Sequence, residues 1–199
     1  MRGTVIIFAK APRAGAVKTR LAKGVGVGRA TALFRVMAER TIAEARNGGW
    51  RTMIAIDPDH AATGGSFYEA GVERIPQGHG DLGKRMDRAI KRAPAGPVIV
   101  IGADAPGFRA QHLRAAFDRL RSADAVIGPA DDGGYWLIGF ARRRPMRRYF
   151  GVVRWSTTHA LQDTLAGLPE TYRIALLEEL HDVDDARDLL HFGLRSTAR

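Results

Sequence analysis

Seven short runs of β-branched and apolar residues, separated by stretches of helical periodicity, constrain this chain more than any other feature. The clearest runs are Thr4 to Ala9, Thr52 to Asp57, Val98 to Gly102 and Ala125 to Gly128; weaker ones are Val72 to Ile75, Trp136 to Phe140 and Tyr172 to Leu176. Continuous apolar runs of this length are what strands buried on both faces require. Between them, helical periodicity covers Gly28 to Arg46, Leu82 to Ala93, Gln111 to Arg121, Ser156 to Leu165 and Asp184 to Phe192. Strands alternating with helices predict crossover connections, hence an α/β fold with a mostly parallel central sheet covered on both sides. One core can serve all 199 residues, so a single domain over residues 1–199 is expected.

In such sheets ligands sit beyond the carboxyl ends of the strands, so the chemistry is sought in the loops Lys10 to Val17, Asp57 to Ala61, Ala103 to Phe108 and Pro129 to Gly134. The first loop, in "FAKAPRAGAVKTRLA", gathers Lys10, Arg13, Lys18 and Arg20 around the small-residue turn that contains Gly15. Backbone amides in such a turn, with cations beside them, suit a di- or triphosphate. The alternative is a basic surface turn. It is not a P-loop, because Val17 stands where the glycine before Lys-Ser/Thr belongs. Gly24, Gly26 and Gly28 do not follow a strand directly, so they read as a flexible connector rather than a dinucleotide fingerprint.

Asp104 follows a strongly apolar strand in "VIVIGADAPG". A carboxylate there, facing a phosphate loop, can hold a magnesium ion, since hard cations take oxygen ligands; it can equally cap a turn. Asp132, Gly133 and Gly134 in "GPADDGGYWLIG" are either a tight turn or part of an acceptor site. Asp182, Asp184 and Asp185 precede a helical stretch. They outnumber what a cap needs, and Asp182 and Asp184 share one side of an extended segment. "QGHGDLGKRM" places Gly80, Asp81 and Arg85 where they frame a nucleotide, with Asp81 also a natural helix cap. "RWSTTHAL" reads as a helix start capped by Ser156 or Thr157. The six His residues show no metal-ligand spacing, and no Ser-His-Asp set stands out.

The balance of 31 Lys+Arg against 21 Asp+Glu, +10 overall, attracts polyanions without choosing among nucleic acid, membrane surface and phosphorylated small molecules. The run Arg142 to Arg148 reads as a solvated loop. Absence of Cys excludes disulfides and thiolate metal sites. The amino-terminal apolar run is broken by Lys10 and no stretch is long enough to span a membrane, so a cytoplasmic protein is expected.

Taken together, "FAKAPRAGAVKTRLA", "QGHGDLGKRM", "IGADAPG", "GPADDGGYWLIG", "RWST" and "DVDDARDL" resemble, in order from residue 8 to 190, the bacterial radical SAM/selenodomain-associated, arsenosugar-type glycosyltransferase-like family. That family belongs to the nucleotide-diphospho-sugar transferase superfamily. The chain is similar also to 2-phospho-lactate guanylyltransferases and molybdenum-cofactor nucleotidyltransferases. The resemblance implies a GT-A-type three-layer sandwich, a nucleotide on the first loop, and Mg2+ or Mn2+ held by Asp104 with Asp184 and Asp182. The sequence departs from the Asp-x-Asp of better-known sugar transferases, since Ala105 and Pro106 follow Asp104.

Three functions are expected to compete. The first is a metal-dependent transferase using a nucleotide-sugar donor. Here Lys10, Arg13, Lys18 and Arg20 hold the diphosphate, with Lys18 the cation nearest the chemistry, Asp132 activates the acceptor hydroxyl, and Gly133, Gly134, Trp155 and Ser156 frame a small-molecule acceptor. The second is nucleotidyl transfer from a nucleoside triphosphate to a phosphorylated acceptor. The third is a basic nucleic-acid-binding module, for which the chain shows no recognisable binding motif, so no specific nucleic-acid partner is expected. Oligomeric state stays open.

Overall fold

The computed structural model describes residues 3–64, 68, 71–105, 107–144 and 148–180. All seven runs are strands: β1 Thr4–Lys10, β2 Arg51–Asp57, β3 Glu73–Pro76, β4 Val98–Gly102, β5 Ala125–Pro129, β6 Tyr135–Phe140 and β7 Ile174–Leu176. They form one sheet in the order β3-β2-β1-β4-β6-β5-β7, in which β6 alone runs antiparallel, against both β4 and β5. The fold class is thus the expected mixed α/β sandwich on a mostly parallel sheet.

Alternation along the central strands covers both faces. Val5, Ile7 and Ala9 of β1, with Ile99 and Ile101 of β4, pack into one cluster with Ala38, Ile42, Leu113 and Ala116. Ile6, Val98 and Val100 point the other way, onto Met86, Ala89 and Ile90. The first face is covered by α2 Val27–Arg46 and α4 Ala110–Arg119, the second by α3 Leu82–Arg92 and α5 Ala160–Gly167. Full burial of such Ile and Leu side chains stabilises by about 1.5–3 kcal/mol each.

Three local expectations are corrected. The stretch read as a glycine connector contains a helix, α1 Thr19–Val25, that reaches α2 through the single residue Gly26. Gly24 and Gly28 lie inside the two helices; only Gly26, at φ +82°, needs to be glycine for its backbone. Second, α5 starts at Ala160, not Ser156. The Leu161 amide, left open at a helix start, donates to the Gly133 carbonyl at 3.0 Å, so a contact distant in sequence replaces the Ser or Thr cap. Thr157 instead donates to the Arg154 carbonyl at 2.7 Å and accepts the His159 amide at 3.2 Å, just ahead of the helix.

Third, the arginine run is not simply solvated. Arg142 donates to the carbonyls of Ala93 and Pro94, at the end of α3 on one face of the sheet. Its neighbour Arg143 donates to the carbonyls of Leu120 and Ala123, at the end of α4 on the other. Cations that bond the open carbonyls of a helix end offset both the unsatisfied acceptors and the dipole. Arg142→Ala and Arg143→Ala should each lower stability by about 1–2 kcal/mol in urea denaturation, and Lys at either position should recover only part of it.

The described chain ends beside the carboxyl end of β5, where the Leu180 amide donates to the Pro129 carbonyl at 3.1 Å. Just before it, Glu178 is tied down by His112, a residue of α4 with 7% side-chain exposure. The His112 ring accepts the Arg109 amide at Nδ1, 3.1 Å away, and places Nε2 3.0 Å from the Glu178 carboxylate. Burial pulls the His112 pKa below its ordinary value, and the Glu178 charge opposes this only in part. The unfolded chain therefore binds a proton more readily than the folded one, so stability falls as pH drops below about 6.5. In His112→Asn, whose amide oxygen can still accept the Arg109 amide, that segment of the stability–pH curve should flatten.

Candidate active site

The sheet order sets the site. From β1 the chain crosses to β2 on one side, whereas the strand on β1's other flank, β4, leads away toward β5, so the loops after β1 and β4 diverge. A crevice opens at such a switch point. The β1 loop brings its cations to one wall, and Asp104, two residues past β4, stands on the other. Lys18 Nζ lies 2.8 Å from Asp104 Oδ2, with side-chain exposures of 8% and 40% respectively. Lys18 immediately precedes α1 in a left-handed conformation, φ 45° and ψ 48°. That conformation costs a non-glycine residue about 1–2 kcal/mol, so the surrounding structure holds the ammonium where it is.

Around this pair lies a polar cavity of about 710 Å³. Lys10, Lys18 and Arg20 line it from the amino-terminal side, and Asp104, Asp132 and the segment Ser156 to Thr158 from the other. A smaller pocket of about 250 Å³ shares Lys10, Lys18 and Asp104 and continues the cleft into apolar surroundings, among them Phe8, Phe34 and Leu82. Gln77 and Arg85 are the polar side chains it adds to Lys10, Lys18 and Asp104. The buried Gln77 amide spends its NH2 on the carbonyls of Ala9 and Ala55, at 3.1 and 3.0 Å. This leaves its carbonyl oxygen to face Arg85, at 3.5 Å, and Arg85 is steadied by a 2.8 Å bond to the Gly80 carbonyl.

Asp132 forms the expected tight turn and also faces the cavity. Its Oδ1 accepts the Gly134 amide at 2.8 Å, as a tight turn requires, and its side chain lines the polar cavity. Gly133 is needed twice over: its φ is +81°, and a Cβ there would stand 2.3 Å from the Thr158 carbonyl oxygen. That contact locks the Asp132 turn against residues 156–158, and the pair of Arg154 and Asp163 braces the same loop. Arg154 meets both carboxylate oxygens at 2.8 Å, holding the Asp163 carboxyl well below the usual range.

The cleft thus unites Lys10, Lys18, Arg20, Arg85, Asp104, Asp132 and Ser156. Other candidates stand differently. Arg13 turns to His60, on the one-turn 3-10 helix Asp59–Ala62 after β2. Gly15 serves the β1 loop through its φ of +78°. Asp81 caps α3 by accepting the Lys84 amide at 2.8 Å, and that bond lowers its pKa. It lines a neighbouring cavity together with Trp155. Asp182 and Asp184, with Asp185 and the helix expected over 184–192, lie outside the described residues. Among the described residues no group of three or more His, Asp or Glu side chains converges. Gln77, Phe34, Leu82 and Thr157 were not anticipated as cleft residues; Gln77 and Leu82 lie in the motif that supplied Gly80, Asp81 and Arg85, and Thr157 was expected only as a helix cap.

The architecture matches solved structures. A protein from Desulfovibrio desulfuricans G20, described as a candidate nucleotide-diphospho-sugar transferase, superposes with a TM-score of 0.88 at 27% identity, over 100% of this chain and 90% of that one. A 4-diphosphocytidyl-2C-methyl-D-erythritol synthase from Anaerococcus prevotii DSM 20548 shares the fold with a TM-score of 0.61 at 11% identity, covering 97% of each chain. Rv0371c of Mycobacterium tuberculosis H37Rv, in complex with manganese, gives 0.56 at 14% identity over 96% of this chain and 98% of that one. No curated protein matches the chain. Residues 41–157, well over half of the chain, match the bacterial family described as "Uncharacterized protein conserved in bacteria (DUF2064)", and the protein belongs to that family on a nucleotide-diphospho-sugar transferase-like fold.

Proposed function

We propose that the protein is a divalent-metal-dependent transferase that takes a nucleotide-sugar donor and passes its sugar to the hydroxyl of a small acceptor. The observation that carries this reading is the juxtaposition of Lys18 with Asp104 at the mouth of the β1–β4 crevice, polar on one side and apolar on the other. Lys10, Lys18 and Arg20 neutralise the donor's diphosphate, and the charge that grows on it as the glycosidic bond breaks meets cations already in place. The apolar extension lined by Phe8, Phe34 and Leu82 receives the nucleoside. Asp132 accepts the proton of the acceptor hydroxyl as that oxygen attacks. Asp104 offers the hard oxygen donor that Mg2+ or Mn2+ takes, to be completed by Asp182 and Asp184; the bound ion would supply Lewis-acid neutralisation of the diphosphate. Support comes from the similarity to the Desulfovibrio protein and from the manganese bound by Rv0371c.

Nucleotidyl transfer is the second reading, favoured by the fold shared with the cytidylyl enzyme of Anaerococcus. The same cations would then bind a nucleoside triphosphate and stabilise departing pyrophosphate. A thermal-shift screen of nucleotide sugars and nucleoside triphosphates, with and without Mg2+ or Mn2+, separates the two. A ligand at 100 times its Kd stabilises by about 2.7 kcal/mol. Metal-dependent stabilisation by a nucleotide sugar and not by the matching triphosphate is expected; the reverse pattern selects nucleotidyl transfer, and indifference to both rejects each.

A further inference from the structure

A cavity of about 450 Å³ shares no lining residue with the cleft, but its Gly83 and Trp155 are sequence neighbours of the cleft residues Leu82 and Ser156. Trp155 of this cavity and Ser156 of the cleft are joined by one peptide bond. Its apolar part is aromatic and rigid. Trp155 sits edge-on between Tyr135 and Phe150, with ring centroids 6.5 and 5.8 Å away, and Phe150 in turn packs edge-on against Phe140 at 6.0 Å. Gly83 contributes backbone alone, since a Cβ there would stand 2.8 Å from the Trp155 ring. Val153 extends this wall, and Val152 at the mouth is 97% exposed.

The charges around this wall are not equivalent. Asp81 is committed to the α3 cap and, at 3.4 Å, to Lys84. Asp87 is committed to the Tyr149 amide at 3.0 Å and to Lys91 at 2.5 Å. Arg148 also lines the cavity, and among the described residues no carboxylate pairs with it. An apolar wall beside a guanidinium that no described carboxylate engages is complementary to a molecule that has an apolar body and an anionic end, since guanidinium binds carboxylate and phosphate through paired, charge-assisted bonds.

We infer that this cavity is a binding site for a small hydroxylated organic anion, its ring or short apolar body lying against Trp155 and Phe150 and its carboxylate or phosphate pairing with Arg148. Such a molecule, anchored at Trp155, extends past Ser156 toward Asp132 and presents its hydroxyl to the cleft. Its role as the acceptor rests on the transferase reading above. Its existence as a ligand does not, which makes the two separable.

Calorimetric titration with 4-hydroxybenzoate, phenyl phosphate and the neutral 4-hydroxybenzyl alcohol tests the site. The better of the two anions should bind at least about tenfold more tightly than the alcohol, the size of one charge-assisted bond, and the stronger anion reports whether carboxylate or phosphate is preferred. Arg148→Gln, a change at an exposed position, should erase that preference and leave alcohol binding unchanged; Trp155→Ala should weaken all three. Asp104→Ala should retain anion binding while losing metal-dependent nucleotide stabilisation. If neither anion binds, if Arg148→Gln leaves the preference intact, or if Asp104→Ala abolishes anion binding, the inference is overturned. Anion binding at Arg148 in a protein indifferent to every nucleotide would leave this site standing and remove the transferase reading.

Discussion

Asp104→Ala should lose metal-dependent nucleotide binding by about 100-fold or more, while Lys18→Met should loosen the nucleotide yet tighten the metal. The opposite signs follow from one contact. The Lys18 ammonium lies 2.8 Å from the Asp104 carboxylate and stands where a cation would compete for the same oxygens. On the proposed reading Asp104 would hold the ion of a metal diphosphate and Lys18 would pair with its phosphates instead of with Asp104. Removing the ammonium thus removes a competitor and a nearby positive charge, worth about tenfold in Mn2+ affinity measured without nucleotide. It also removes a phosphate ligand, costing at least about tenfold in nucleotide affinity. If the pair were only a structural bridge, both variants would lose stability and neither would shift metal affinity upward. A basic nucleic-acid module predicts something else again: Asp104→Ala would strengthen polyanion binding.

Gly133→Val should have the largest effect of any change outside the cation–carboxylate pair. The positive φ disfavours every side chain, β-branched ones most, and the Thr158 carbonyl 2.3 Å from the new Cβ is backbone that cannot swing aside. We expect a loss of about 3 kcal/mol or more, seen as a lowered denaturation midpoint. Because the same contact holds the Asp132 turn against residues 156–158, activity should fall further than stability explains. Gly15→Ala provides the contrast. Its position is equally left-handed but has open space around it, so it should cost only about 1 kcal/mol.

The strands were legible because a run such as Val98 to Ile101, apolar at every position, belongs nowhere but in the middle of a covered sheet. Strand direction was not, since β6 carries the same kind of residues as its parallel neighbours and only its short connection to β5 hints that it runs back. The position of α1 was hidden by its own composition: Lys, Arg and Gly24, with Gly26 just after it, imitate a loop, and helicity there comes from Leu21 packing beneath α2. The starting point of α5 was misread for a related reason, because a local cap lost to the Gly133 carbonyl. Among site residues, Lys18 and Asp104 could be found from loops that follow apolar strands. Asp81 could be read as the cap of α3, whereas Arg13 could not be sorted from its neighbours, since its engagement with His60 depends on folded geometry. The apolar extension of the cleft draws on Phe8, Phe34 and Leu82, which come from three separate elements and look like ordinary core residues in sequence.

Whether the Lys18–Asp104 crevice holds a metal and a diphosphate together can be read from phosphorus NMR of a nucleotide sugar with trace Mn2+. With wild-type protein both phosphorus signals should broaden at a Mn2+ concentration that leaves them sharp with the Asp104→Ala variant or with no protein. Equal broadening with wild-type and Asp104→Ala, or signals that stay sharp with wild-type, would contradict the account.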